Sequence, residues 1–109
     1  MIVTVEQYDK WANDLLTLRT EIRNAKRPVY THGSGDVFRN FRVGAAMTGS
    51  TPGHDLSHHL VKQANAVINL LIHPDIPDAE RATRFADLMN YAELAYVMWM
   101  SNQHGESPL

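Results

Sequence analysis

The chain contains no cysteine. That excludes a disulfide scaffold, a thiolate metal site and a cysteine nucleophile, and it points to a reducing, cytoplasmic compartment. It also has no stretch near the ~20 apolar residues of a membrane span, so no membrane association is expected. The opening residues Met1-Ile2-Val3-Thr4-Val5-Glu6 lack a basic region followed by an apolar run, so no secretory signal is expected there. Strand-like alternation, internal repeats and low-complexity tracts are missing too. What remains is 44% hydrophobic and 20% charged, the composition of an ordinary globular protein. At 109 residues it reads as one domain over 1–109, with a polar tail at 102–109 that should fray. A core of that size is modest, and oligomerisation would support it.

Hydrophobic spacing predicts four helices. The first runs from about Val5 to Lys26, with Thr4 and Gln7 at capping-box spacing and Val5, Tyr8, Trp11, Leu15, Leu18, Ile22 and Ala25 on one stripe. Pro28 should end it. The second is short, Val37 to Met47, turning Val37, Phe38, Phe41 and Ala45 inward, with Gly49 as its stop. The third spans His54 to Ile72 behind a stripe of Leu56, Leu60, Ala64, Val67, Ile68 and Leu71. The loop His73–Asp78 separates it from the fourth, with Asp75 or Asp78 near the cap and Pro77 in the first turn. The fourth helix runs to about Ser101, with Ala82, Phe85 and Met89 facing in. From Leu88 to Met100 it reads as apolar nearly all round, so Tyr96, Met98, Trp99 and Met100 are expected to form part of a homo-oligomer interface. The expected fold is all-α, a small four-helix bundle-like domain.

The net charge of −2 conceals an asymmetry. Arg19, Arg23, Lys26, Arg27, Arg39 and Arg42 face only Glu21 and Asp36 within residues 19–42, a local +4, while the remainder carries −6. An acidic body with one basic patch suits a small polyanion better than general nucleic-acid binding. Inside this patch lies Tyr30-Thr31-His32-Gly33-Ser34-Gly35-Asp36-Val37-Phe38-Arg39-Asn40-Phe41-Arg42. Glycines permit close approach of backbone amides to a ligand, Asp36 is placed to cap a helix, and Arg39 and Arg42 share a helical face. A phosphate is the natural guest of such a segment. It is not a P-loop, since it lacks the glycine spacing and the Gly-Lys-Ser/Thr ending.

Other chemistry is thinner. His54 and His58 stand at i, i+4, but the helix lacks the glutamate of His-Glu-x-x-His and marks no third ligand, so no metal site is expected. The last helix offers Glu80, Asp87 and Glu93; Asp87 and Asn90 could equally be a buried pair that fixes helix register. Lys62 interrupts an apolar stripe, so it should either pair with Asp87 or meet a phosphate. No Ser-His-Asp spacing is recognisable.

Tyr30-x-x-Gly33-x-x-Asp36-x-Phe38-x-Asn40-Phe41, then Lys62, then Asp87-x-x-Asn90-Tyr91 resembles a family of small all-α proteins frequent in phage genomes. These are described as nucleotide-modification-associated and grouped near the MazG-like nucleotide pyrophosphohydrolases. The likeness covers roughly Ile22 to Tyr96. It implies a nucleotide-related role, a helical bundle and homo-oligomers. The hydrolases hold Mg²⁺ with Glu-x-x-Glu on one helix and Glu-x-x-Asp on the next. Here Asp87 matches the last acid, but Arg84 stands three before it, and the preceding helix has Lys62 and no glutamate pair. Positive side chains there favour binding over metal-dependent hydrolysis.

The leading expectation is therefore a phage-type protein that binds a phosphorylated nucleotide, cyclic or signalling species included, without cofactor or turnover. Its use would be to sequester a host defence signal in the host-cell cytoplasm. Arg27, Arg39, Arg42, Lys62 and Arg84 would neutralise phosphates; His32, Gly33 and Ser34 would donate from the loop; Tyr30, Phe38 or Tyr91 would stack on a base; Asp87 and Asn90 complete the site. Two alternatives stand beside it. One is a MazG-like pyrophosphohydrolase using Asp87, Glu80 and Glu93 with Mg²⁺. The other is a structural helical protein docking a partner through Trp99.

Overall fold

The computed structural model describes residues 2–75, 77, 78 and 80–105, the side chain of Tyr30 excepted. The expected residues 106–109 of the polar tail lie outside the described residues. The chain is an all-α four-helix domain: α1 (Val5–Thr31), α2 (Arg39–Thr48), α3 (Pro52–Ile72) and α4 (Arg81–Gln103). α4 packs against both α3 and α1, and α2 lies on α3.

Caps set most of the boundaries. Thr4 and Gln7 form the capping box: the Gln7 amide donates to Thr4 Oγ1 (3.1 Å), and the Thr4 amide donates to Gln7 Oε1 (3.0 Å). Thr51 caps α3, accepting from the His54 amide at 3.2 Å, with Pro52 in the first turn. Gly49 ends α2 in the left-handed region at φ 68°, where a side chain would be strained.

Several boundaries differ from the sequence expectation. Pro28 does not end α1; it sits inside the helix, which continues to Thr31 and closes on His32 at φ 48°. A proline costs the helix one amide donor and adds a clash in the preceding turn. Here the next turn still forms, and the His32 amide donates to the Pro28 carbonyl at 3.0 Å. Asp36 does not cap α2. It stands one turn earlier, accepting from the Phe38 amide at 3.0 Å. Likewise Pro77 precedes α4 rather than entering it, and Asp78 accepts from the Glu80 amide at 2.8 Å. α4 itself takes in Asn102 and Gln103, assigned above to the tail.

The core is small. Phe38, Phe41, Leu56 and Met98 form its centre, with Tyr91, Leu94 and Ala95 packed against it; Ala45, Val67 and Ala86 are also buried. Gly44 lets α2 approach α3 closely, since a Cβ there would lie 2.6 Å from an Asp55 carboxylate oxygen. The inward stripe assigned to α1 does not enter this core over its first turns: Val5, Tyr8 and Trp11 are 77%, 66% and 54% exposed. α1 is about 40 Å long at ~1.5 Å per residue, and it stretches the molecule to 49 × 26 × 25 Å. The radius of gyration is 16.1 Å, against about 13 Å for a compact chain of this length. Val37, Ile68, Leu71 and Ala82, expected inside, are exposed as well.

The last helix requires a correction. It was expected to be apolar nearly all round and to serve as a homo-oligomer surface. No described helix is long and apolar enough to cross a membrane, α4 included. One side of α4 carries Tyr91, Leu94, Ala95 and Met98 into the chain's own core. Another carries Asp87, Asn90 and Glu93 toward α1. Met98 is 1% exposed and is a core residue, not an interface residue. Self-association through an apolar last helix is therefore withdrawn.

Met98→Ala should lower the unfolding free energy by about 2–5 kcal/mol, because the small core has few neighbours to refill the space. Urea denaturation measures this, and a loss near zero would place Met98 outside the core.

Candidate functional site

Three cations of α1, Arg19, Arg23 and Lys26, recur at helical spacing beside the apolar positions Leu18 and Ile22. They meet three polar residues of α4. Lys26 Nζ donates to Asp87 Oδ1 at 3.3 Å. Arg19 Nε donates to Asn90 Oδ1 at 3.2 Å, and Asn90 Nδ2 returns a bond to the Arg19 carbonyl at 3.0 Å. Arg19 also pairs with Glu93, and Arg23 Nη1 donates to Glu93 Oε1 at 3.1 Å. These bonds set residues 19–26 of α1 against residues 87–93 of α4. Asp87 and Asn90 are buried, and each has its partner on α1.

A groove of about 180 Å³ opens along this seam. Its polar lining is Arg23, Arg27, Thr31, Asn90 and Glu93, and its apolar lining is Val37, Leu94 and Val97. Arg23 Nε is buried, and no described residue accepts a hydrogen bond from it. Such an orphan donor costs free energy unless something accepts from it. Arg27 is exposed at the rim, and no hydrogen bond or ion pair among the described residues engages its side chain. Arg19, Arg23 and Arg27 set three positive charges around the single negative charge of Glu93, while Lys26 and Asp87 offset one another. Burial pushes the Glu93 carboxyl up, but the hydrogen bonds and charges of Arg19 and Arg23 outweigh it and hold it below the ordinary value of 4.5.

The glycine loop is organised differently from a phosphate cradle. The Gly33 amide donates to Thr31 Oγ1 (3.3 Å), the Ser34 amide to the Thr31 carbonyl (2.9 Å) and the Asp36 amide to Ser34 Oγ (3.2 Å). Ser34 Oγ itself donates to the Thr31 carbonyl at 2.6 Å. These donors are used within the loop. His32 is exposed in its left-handed turn.

The residues proposed as one ligand site separate into several places. Arg27 and Asn90 share the α1–α4 groove. Lys62 and Arg84 line a second, wider cleft of about 710 Å³ at the α3–α4 turn, with Asn69 and His73. Lys62 is exposed and does not pair with Asp87, which belongs to Lys26. Arg84 is held by Asp78 (3.5 Å) and Glu80 (3.3 Å), and Arg42 by Asp36 (2.9 Å). Arg39, at the start of α2, is half-buried. Phe38 is in the core, and Tyr91 stacks on His59 at 5.8 Å. The side chain of Tyr30 lies outside the described residues. Among the described residues, no group of three or more His, Asp or Glu side chains is placed to hold a metal ion.

Arg19, Arg23 and Thr31 were not among the site residues expected from sequence. The available signal was the spacing of Arg19, Arg23 and Lys26 flush with the Leu18–Ile22 stripe, which marks cations on the edge of a buried face. Comparison of the chain with protein-family models, with curated proteins and with solved structures finds no match.

Because the folded-state pKa of Glu93 lies below its unfolded value, its contribution to stability is fully present above the unfolded value and is lost as pH falls toward the folded one. Glu93→Gln should therefore lower the melting temperature at neutral pH and leave the variant with a flatter decline below about pH 5. Melting curves over a pH series check this; parallel curves for the two proteins would refute it.

Proposed function

We propose that this chain binds a small phosphorylated nucleotide in the groove between α1 and α4, and holds it without metal-dependent hydrolysis. One observation carries the reading: a groove walled by Val37, Leu94 and Val97 that presents the exposed side chain of Arg27 beside Arg23, whose buried Nε has no hydrogen-bond partner among the described residues. A phosphate accepts from such donors, and an apolar wall suits the base or ribose beside it. The groove's volume fits one phosphate and part of a nucleoside, with the remainder projecting toward the open rim.

The acids of the rival enzymatic reading support binding rather than turnover. Asp87 is paired with Lys26, Glu93 with Arg19 and Arg23, and Glu80 with Arg84. Converting them to metal ligands would require breaking each of these pairs. The resemblance to phage proteins related to nucleotide modification supplies the nucleotide part of the proposal. A binder that releases its ligand intact suits sequestration of a signalling nucleotide in the cytoplasm of an infected host.

Thermal-shift and calorimetric titration against a nucleotide panel, cyclic dinucleotides and ADP-ribose derivatives included, tests this with and without Mg²⁺. The expected result is a rise in melting temperature without Mg²⁺ and recovery of intact ligand on denaturation. Arg27→Ala should keep the fold, since Arg27 is exposed and its side chain makes no hydrogen bond or ion pair among the described residues. It should weaken binding by about tenfold or more, the scale of one charge-assisted hydrogen bond. Conversion of ligand only in the presence of Mg²⁺, or unchanged affinity in Arg27→Ala, would overturn the proposal.

A further inference from the structure

The exposed face of the first turns of α3 carries an arrangement that the groove does not use. His54 and His58 lie at i, i+4, and their Nε2 atoms stand 3.1 Å apart, with the rings edge-on at 87° and centroids 4.6 Å apart. Both side chains are exposed, and among the described residues their side-chain partners are each other. Two metal–nitrogen bonds of about 2.05 Å separate their nitrogens by about 3.3 Å at a tetrahedral angle and about 2.9 Å at a right angle. The observed separation falls between these values. The rings thus present two nitrogens as adjacent corners of a coordination shell, on a helix already fixed by the Thr51 cap.

We propose that His54 and His58 form a two-imidazole chelate for a borderline divalent transition ion such as Zn²⁺ or Ni²⁺, with water completing the shell. In the metal-free pair one Nε2 donates and the other accepts. Chelation needs both Nε2 lone pairs, so the donor ring moves its proton to Nδ1, an exchange that exposed rings make through solvent. Neighbouring groups do not compete. The Asp55 carboxylate is turned toward Gly44 of α2 and lies 3.6 Å from His59 Nε2. The His59 ring is committed to Tyr91 and Phe41. Imidazole donors select Zn²⁺, Ni²⁺ or Cu²⁺ over Mg²⁺ or Ca²⁺, which prefer oxygen. This site is independent of the nucleotide groove.

Calorimetric titration of the whole protein with ZnCl₂ and with NiCl₂ at neutral pH tests the proposal. Wild type should bind one ion per chain. His54→Ala and His58→Ala should each weaken binding by at least about tenfold, while His104→Ala retains it. Alanine at these exposed helical positions preserves the helix, which circular dichroism confirms independently. Zn²⁺ should also raise the melting temperature of wild type and not that of either variant, because the ion bridges one helical turn. No uptake by wild type, or wild-type affinity in either variant, would overturn it.

Discussion

The polar seam between α1 and α4 governs the rest of the molecule. Arg19, Arg23 and Lys26 reach across it to Asn90, Glu93 and Asp87. Ion pairs of this kind add little net stability, since desolvation offsets much of the attraction. Their value is positional. Asn90 both accepts from Arg19 and donates to its carbonyl, so the two helices meet in one register. A slip of one helical turn would bring Ala86 or Leu94 opposite Arg19 and take the Asn90 acceptor from its half-buried guanidinium.

The seam also determines which charges remain available. It engages Arg19, Arg23 and Lys26, half of the basic patch, together with Asp87 and Glu93 of α4. Arg42 and Arg84 are likewise held by local carboxylates. Arg27 is left at the rim, beside the orphan donor of Arg23. The capacity to hold an anion thus arises from a small excess of cations over acids at one place, not from the overall charge, which is negative.

Much of the architecture was legible in the residues. Periodicity located four helices, and Thr4–Gln7 and Gly49 marked termini that the structure keeps. Pro28 misled because a proline near a helix end sacrifices a single donor, which one further turn of helix can offset. The last helix misled for a different reason. Counting apolar residues from Leu88 to Met100 gave too little weight to Asn90 and Glu93, the residues that interlock with α1. The candidate site was the least legible part. Glycines suggested an open cradle, but Thr31 and Ser34 supply the acceptors that satisfy the loop's own amides. Whether an arginine is free depends on which acid folding brings beside it, and that information lies about seventy residues away in the chain.

The reciprocal bond between Arg19 and Asn90 has an evolutionary consequence. Replacing Arg19 alone takes the donor from the buried Asn90 Oδ1, and replacing Asn90 alone takes the acceptor from Arg19 Nε, which then keeps only Glu93. An apolar pair of matching volume would serve in their place, but both single-step intermediates are less stable than either end state. Drift at these two positions should proceed by compensated exchange. Among related chains, the identity of residue 19 would then carry information about residue 90 even where the intervening sequence has diverged.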